Sequence, residues 1–473
     1  MKKIKKIKIN IILIILIFLI LHSCHGKNLN EWHQINEDGF GNKHNIAIRG
    51  IEIFNDSLIV GTTNINNLEN FSLELDHPTI KNLLAGKITI ADLIYSKLES
   101  DGCEIWAYNG EWNPLVKKGF GNKNNLDCSV LIEFNGYLYA GLWNHKEGCQ
   151  IWRTKDLKKW EKVVDKGFGN KNNTAVWVAK KFQDYLYVGT MNFKNGCEIF
   201  RTKNGIKWQQ VIGKNAKIKS GFGSKNNFYA WSMEVYNDCL YVGTANSLGS
   251  ELWVTRDGMN WNPIVAYGKI KAKLLGTDFS RGFRKGFLID GIRRMIVYKN
   301  ELYLSLTRPA YGKFYIENVP ILSIPPIGAQ IWKYNTSKWQ IVLGGFGKGN
   351  ESNGFGDNKN IEVWSIAVYN SFIYAGTMHP EPAIVKIKAN GLKWRIYAEK
   401  NKGAGEIWRY DGKWKQVVGD EVHFLNPANP PNGFGDEYNI GIRVMKVYNN
   451  SLIAGTLNIN NGCEIWVYRE DVR

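Results

Sequence analysis

One unit recurs along nearly the whole chain. It reads Gly-Phe-Gly-Asn-Lys-Asn-Asn, a strand-like run, a two-residue turn, Leu-Tyr-Val-Gly-Thr, a loop, Gly-Cys-Glu-Ile-Trp-Arg-Thr, a second turn and a strand that starts with Trp. A fixed internal period restricts what a chain can fold into, because a unit too small to bury its own apolar face must bury it against copies of itself. Copies open at Asp38 to Asn45, Gly119 to Asn125, Gly167 to Asn173, Gly221 to Asn227, Gly354 to Asn360 and Gly433 to Asn439, and a degenerate one opens near Arg281-Gly282-Phe283, which makes seven.

Each unit contains four short strand-like segments between turn residues. In the third copy they are Val176 to Phe182, Tyr185 to Val188, Cys197 to Arg201 and Trp208 to Ile212. Four strands in a repeat of about 50 residues predict one blade of a propeller. A sandwich or barrel does not repeat one four-stranded unit seven times, and the strand pattern excludes a helical solenoid. The expected fold is therefore all-β, a seven-bladed β-propeller with four-stranded blades. The last copy ends at Cys463-Glu464-Ile465-Trp466 without a fourth strand, while Glu31-Trp32-His33-Gln34-Ile35 is spare near the N-terminus. The N-terminal strand is thus expected to pair into the last blade and close the ring, which removes open sheet edges.

Three turns, Thr154-Lys155-Asp156-Leu157-Lys158-Lys159-Trp160, Thr202-Lys203-Asn204-Gly205-Ile206-Lys207-Trp208 and Thr255-Arg256-Asp257-Gly258-Met259-Asn260-Trp261, resemble the Asp-box (BNR) repeats of sialidases and other propellers. They are degenerate, with the Asp one residue closer to the Trp than in the usual pattern. The resemblance implies a propeller with hairpin turns braced by the Asp, and little about chemistry.

The N-terminus predicts export. MKKIKKIKIN is basic, Ile11 to Leu21 is an unbroken apolar run, and Leu21-His22-Ser23-Cys24 resembles the lipobox of bacterial lipoproteins. Residues 1–24 are read as a signal segment with Cys24 as the lipidation site. Residues 25–473 are read as a single propeller, extracytoplasmic and either lipid-anchored at the cell membrane or secreted. The formal net charge is +18, but it is spread as single Lys residues through the repeats. Such a surface suits anionic partners and gives no argument for nucleic acid.

In a propeller the loop before the innermost strand and the loop between the second and third strands share one face. The long insertions at 66–101, 267–286, 311–328, 379–403 and 423–432 all fall in such loops, whereas the opposite face carries two-residue turns such as Asn55-Asp56 and Asn237-Asp238. Function is expected on the elaborated face. The repeated Gly-Phe-Gly-Asn openings read as structural turns, and Asp357, Asp436 and Glu437 within them as turn residues rather than Ca²⁺ ligands.

Aligning the innermost strands places Arg49, Ser129, Trp177, Trp231, Arg293, Trp364 and Arg443 in one slot. Guanidinium groups pair carboxylate, sulfate or phosphate, and indoles stack on sugars or cations. Arg49, Trp177, Trp231, Arg293, Trp364 and Arg443 are accordingly the candidate ligand-binding residues, expected to line the mouth of a central funnel. Three Arg resemble the arginine triad of sialidases, but no Tyr nucleophile with its Glu and no acid/base Asp can be matched here, and equivalent positions in a ring are expected to point apart. Asp127, Asp290 and Glu362, near the starts of inner strands, are candidate acids. Cys103, Cys149, Cys197 and Cys463 share one slot where other copies have Ser250, Ala329 and Gly405, so buried free thiols are expected. No metal or cofactor motif and no catalytic motif occurs, which leaves catalytic residues unknown. The expected function is a non-catalytic surface or envelope protein holding a glycan, an anionic polymer or a protein on its elaborated face. A glycoside hydrolase or lyase using acids on that face, and a scaffold of an envelope complex, are the alternatives.

Overall fold

A computed structural model describes residues 32–68, 72–75, 78–79, 81, 90–246, 249–265, 273–274, 277–278, 290–307, 312–316, 319–345, 349–380, 385–389, 392–396, 403–427 and 429–469. The export segment with Cys24, and almost all of the 267–286 insertion, lie outside them. The chain is nearly all β and folds as a β-propeller. Every repeat but the last forms an antiparallel four-stranded meander, the first from Asn45–Phe54, Ser57–Asn64, Ile105–Tyr108 and Trp112–Val116, and the third from Ala175–Phe182, Tyr185–Met191, Ile199–Thr202 and Gln209–Ile212. The last repeat supplies Asn439–Tyr448, Ser451–Asn458 and Ile465–Tyr468, and Trp32–Gln34 pairs with the third of these, Trp32 opposite Tyr468.

The glycine of the second strand, present in six repeats and replaced by Ser305 in the fifth, explains how repeats pack side by side. This strand is buried along nearly its whole length, and a Cβ on Gly61 would stand 2.6 Å from Cys128 of the next repeat. Gly455 stands in the same relation to Ile48, 2.7 Å away. At these positions the missing side chain lets the neighbouring innermost strand approach so closely. At the opposite edge of each hairpin, Asn55-Asp56, Asn237-Asp238 and Asn449-Asn450 all take positive φ at both residues, as the type I′ turn requires.

The Trp-rich composition is structural. Each opening Gly-Phe-Gly places its Phe in the left-handed region, for example Phe40 at φ 58° and Phe120 at φ 61°, a costly conformation for a bulky residue. Aromatic stacking holds it there. Phe120 lies flat on Trp152 at 4.5 Å and edge-on to Trp160, and Phe222 does the same with Trp253 and Trp261. In the last repeat Phe434 stacks on Trp466 and meets Trp32.

Beneath the opening turns among the described residues runs a buried polar network. Asn439 Nδ2 donates to the Gly433 carbonyl and to Glu464 Oε2, which also accepts from Trp466 Nε1, while Asn458 Nδ2 donates to Asn439 Oδ1. The bonds from the Asn amide to the Gly carbonyl and to the Glu recur with Asn173 and Glu198, and with Asn360 and Glu406, which again accepts from Trp408 Nε1. This recurrence accounts for the Asn and Glu of the repeat without invoking a ligand. Asp156 and Asp257 brace their hairpins, each accepting two backbone N–H bonds within the turn, and Asn204 does so in the third repeat.

The insertions join one another. Ser72–Leu75 from the first repeat, Gly312–Ile316 and Val319–Ile324 from the fifth, and Val385–Ala389 and Leu392–Ile396 from the sixth form a separate five-stranded sheet. Its one parallel pairing joins the first and sixth repeats, with Ile387 opposite Leu73. All three insertions connect second to third strands, so the antiparallel alternation puts them at one end of the meanders. The helix Asp420–Leu425 precedes an innermost strand and shares that end. It leaves Phe424 87% and Leu425 75% exposed.

Candidate functional site

Every residue of the Arg/Trp slot sits at the same irregularity. The ladder between first and second strands skips a residue between Ile48 and Gly50, between Cys128 and Val130, between Val176 and Val178, between Ala230 and Ser232, between Ile292 and Arg294, between Val363 and Ser365, and between Ile442 and Val444. Arg49, Ser129, Trp177, Trp231, Arg293, Trp364 and Arg443 are the skipped residues. A bulge leaves its extra residue unpaired and re-aims its side chain. Here it turns the slot residues onto one another.

Three guanidinium–indole stacks result. Arg49 lies 4.3 Å from the centre of the Trp177 ring, Arg293 4.8 Å from that of Trp231, and Arg443 4.5 Å from that of Trp364. The expectation that equivalent positions point apart fails at these three pairs. The belt is also buried: all of these side chains are at most 8% exposed except Trp177, which is half-buried.

The residue two places before the slot decides what each slot residue meets in the next repeat. Those residues are Ala47, Asp127, Ala175, Tyr229, Gly291, Glu362 and Gly441. Arg49 meets Asp127, with Nε 3.5 Å from Oδ2, and Arg293 meets Glu362, with Nε 3.4 Å from Oε2. Trp231 covers Gly291 and Trp364 covers Gly441, where an added Cβ would stand 2.0 and 2.6 Å from the indole. Trp177 packs on Tyr229, 4.7 Å between ring centres. Arg443 faces the repeat that carries Ala47 and so has no carboxylate opposite it there. Its Nη1 is buried without a hydrogen-bond partner.

A further cation, Arg294, reaches across from the fifth repeat. Its Nε donates to the Trp364 carbonyl at 2.7 Å and its Nη2 to that of Arg443 at 3.4 Å. Burial together with the repulsion of Arg49 pushes Arg294 down to about 9 and Arg293 well below the usual guanidinium range. Burial lifts Asp127 and Glu362 against the pull of Arg49 and Arg293. Asp127 is further held by Ser129 Oγ and Thr63 Oγ1, at 3.0 and 3.1 Å.

On the side of the insertions a helix covers the part of the belt around Tyr229. The helix Ile90–Ser96 brings Tyr95 against Trp143 and Phe193, and its hydroxyl lies 3.2 Å from that of Tyr229. Burial, with the Tyr95 hydroxyl beside it, holds the Tyr229 phenol well above its ordinary range. On the side of the two-residue turns a cavity of about 330 Å³ runs up to the belt. Arg49, Ser129, Trp177, Arg294, Ser365 and Val444 line it, from six different repeats, which puts it on the propeller axis.

The candidate acids Asp127 and Glu362 thus enter the belt as partners of arginines, and the side chain of Asp290 lies outside the described residues. Arg294, Tyr229 and Tyr95 were not anticipated; the one signal for Arg294 is a second Arg beside Arg293 in a strand that is otherwise apolar after Asp290. Cys103, Cys128, Cys149, Cys197 and Cys463 are buried free thiols and Cys239 is half-buried. Among the described residues no group of three or more His, Cys, Asp or Glu could hold a metal ion, and no helix is long and apolar enough to cross a membrane.

No protein-family model matches the chain, and no curated protein matches it in sequence. Solved structures with a similar shape include the WD40 β-propeller domain of Doa1, at TM-score 0.45 and 9% identity over 93% of this chain and 98% of that one. The Pyrococcus horikoshii acylaminoacyl peptidase gives 0.42 and 12%, over 93% of this chain and 53% of the peptidase. The β-propeller domain of the Trilobed protease from Pyrococcus furiosus gives 0.37 and 7%, over 90% and 96%.

Proposed function

We propose that this chain is a non-catalytic binding protein of the cell envelope, exported and lipid-anchored through Cys24, which holds a protein partner on its elaborated face. The observation that carries the reading is the five-stranded sheet assembled from insertions of three different repeats. Insertions that hydrogen-bond to one another form a single platform, which separate drift of surface loops does not produce. Phe424 and Leu425, adjacent and almost fully exposed at the same end, favour a protein over a glycan or an anionic polymer, since apolar side chains are the usual anchors of protein interfaces.

The platform rests on what we take to be seven blades in a closed ring. Trp32 opposite Tyr468, Ala47 opposite Leu457, the Lys446–Glu52 ion pair and the Tyr448 hydroxyl on the Asp56 carbonyl all support closure between the first and last repeats. The rival reading as a glycoside-active enzyme draws no support from Asp127 and Glu362, each engaged by an arginine. Neither is placed as a free acid or base.

The test measures binding of the purified mature protein to envelope fractions before and after protease treatment. Wild type should bind protease-sensitively, and the double variant Phe424→Ser, Leu425→Ser should lose at least about tenfold in affinity with an unchanged melting temperature. Protease-resistant binding, or release of reducing ends from envelope polysaccharide, would overturn the reading. Cys24→Ala should move the protein from the membrane fraction to the soluble one.

A further inference from the structure

The belt carries more positive charge than its own carboxylates neutralise. Arg49, Arg293, Arg294 and Arg443 contribute four guanidinium groups, and among the described side chains only Asp127 and Glu362 answer them. Both contacts are long, at 3.5 and 3.4 Å, and Arg49 Nε and Nη2, Arg293 Nε and Arg443 Nη1 are all buried without a hydrogen-bond partner. Arg49 is 4% exposed and still lines the cavity on the propeller axis. Buried donors left unpaired are costly, and charged ones most of all.

The cavity has the volume of about ten waters, enough for a small anion with part of its hydration. Its other charged lining residues are already answered. Lys180 pairs with Glu234 and Lys446 with Glu52, each at 2.5 Å. Those pairs lie further along the innermost strands, towards the two-residue turns, so the approach is near neutral and the surplus charge sits at the inner end.

We propose that the axial cavity binds a small oxyanion of the phosphate, sulfate or carboxylate kind, which enters from the face of the two-residue turns and is gripped by Arg49 and Arg294. Arg443 adds its charge from the seventh repeat. Trp177, stacked with Arg49, restrains the plane of that guanidinium at the cavity wall. Ser129 and Ser365 also line the cavity, but their hydroxyls donate to Asp127 and to the Ile442 carbonyl, which leaves the arginines as the donors. This site opens away from the platform of insertions, so it stands or falls independently of the protein partner proposed above.

Isothermal titration of the full chain at neutral pH with inorganic phosphate, sulfate and acetate tests it. At least one should bind with a Kd of about 1 mM or tighter, and the ranking separates tetrahedral from carboxylate ligands. Diffraction from crystals soaked in selenate should place its anomalous peak between Arg49 and Arg294. Arg294→Gln should weaken binding at least about tenfold, with Arg294→Lys keeping part of it. Binding of all three anions weaker than about 10 mM, or a selenate peak elsewhere, would overturn the site whether or not the Gln variant folds.

Discussion

Arg49 and Trp177 stack across a whole intervening repeat, 4.3 Å from guanidinium carbon to ring centre. The other two Arg–Trp stacks join neighbours. What opens the longer reach is Ser129, the one small residue in the slot, which lies in the repeat between them and bonds sideways to Asp127.

Ser129→Trp should therefore act as an obstruction although Trp occupies the same slot elsewhere in the belt. An indole there displaces Arg49 from Trp177 and deprives Asp127 of a donor. Overpacking of this kind costs about 1–3 kcal/mol. Urea denaturation should show that loss, and near-ultraviolet circular dichroism a changed tryptophan signal. An unchanged midpoint would mean that Arg49 does not need the gap.

The Arg49–Asp127 pair is held almost wholly out of solvent, so removing one member should cost more than removing both. Arg49→Met leaves Asp127 with only two hydroxyl donors, and losses of about 3–5 kcal/mol follow from stranding one member of a buried pair. Adding Asp127→Asn removes the stranded charge, keeps an acceptor oxygen for one of the two hydroxyls, Thr63 or Ser129, and gives the other an amide N–H to accept from. A double-mutant cycle read by denaturant titration should show the double variant more stable than Arg49→Met alone; strict additivity would refute the coupling.

Gly291 and Gly441 have ordinary backbone angles, so their cost of substitution is purely steric. Alanine at either would drive a methyl into Trp231 or Trp364, with the tighter approach at Gly291. Gly291→Ala should lower the melting temperature more than Gly441→Ala, and truncating the indole in Trp231→Ala, Gly291→Ala should make the second substitution nearly silent.

The propeller was legible because its determinants are local. Gly-Phe-Gly must turn, Asn55-Asp56 must form a tight hairpin, and Val-Gly-Thr must admit a neighbour, and each recurs at a fixed period. The slot residues were legible by alignment, but their behaviour was not. A bulge at Arg49 is a property of how two strands register, which neither strand's sequence states alone. Without it the belt reads as a rim; with it the residues fold inward and stack. The roof over Tyr229 depends on where the 66–101 insertion returns, and no period predicts that.

The buried network under the opening turns makes stability depend on pH with a definite sign. Burial lifts Glu406 and Glu464 to about 7, against the pull of Trp408 and Trp466 Nε1 donating to them. An unfolded glutamate titrates near 4.3. Between roughly pH 4.5 and 7 the folded state thus binds more protons than the unfolded one, so these two groups stabilise the fold below that window and lose that contribution as pH rises through it. His145, half-buried and lowered to about 4, works the other way over part of the same range, which makes variants the cleaner readout. Gln150 already does this job in the second repeat, its Oε1 accepting from Asn125 and Trp152. Glu406→Gln with Glu464→Gln should therefore fold, melt higher than wild type at pH 8, and approach wild type at pH 5. Calorimetric melting temperatures across that range decide the matter: parallel curves for wild type and variant would show that the two carboxyls do not titrate between folded and unfolded states.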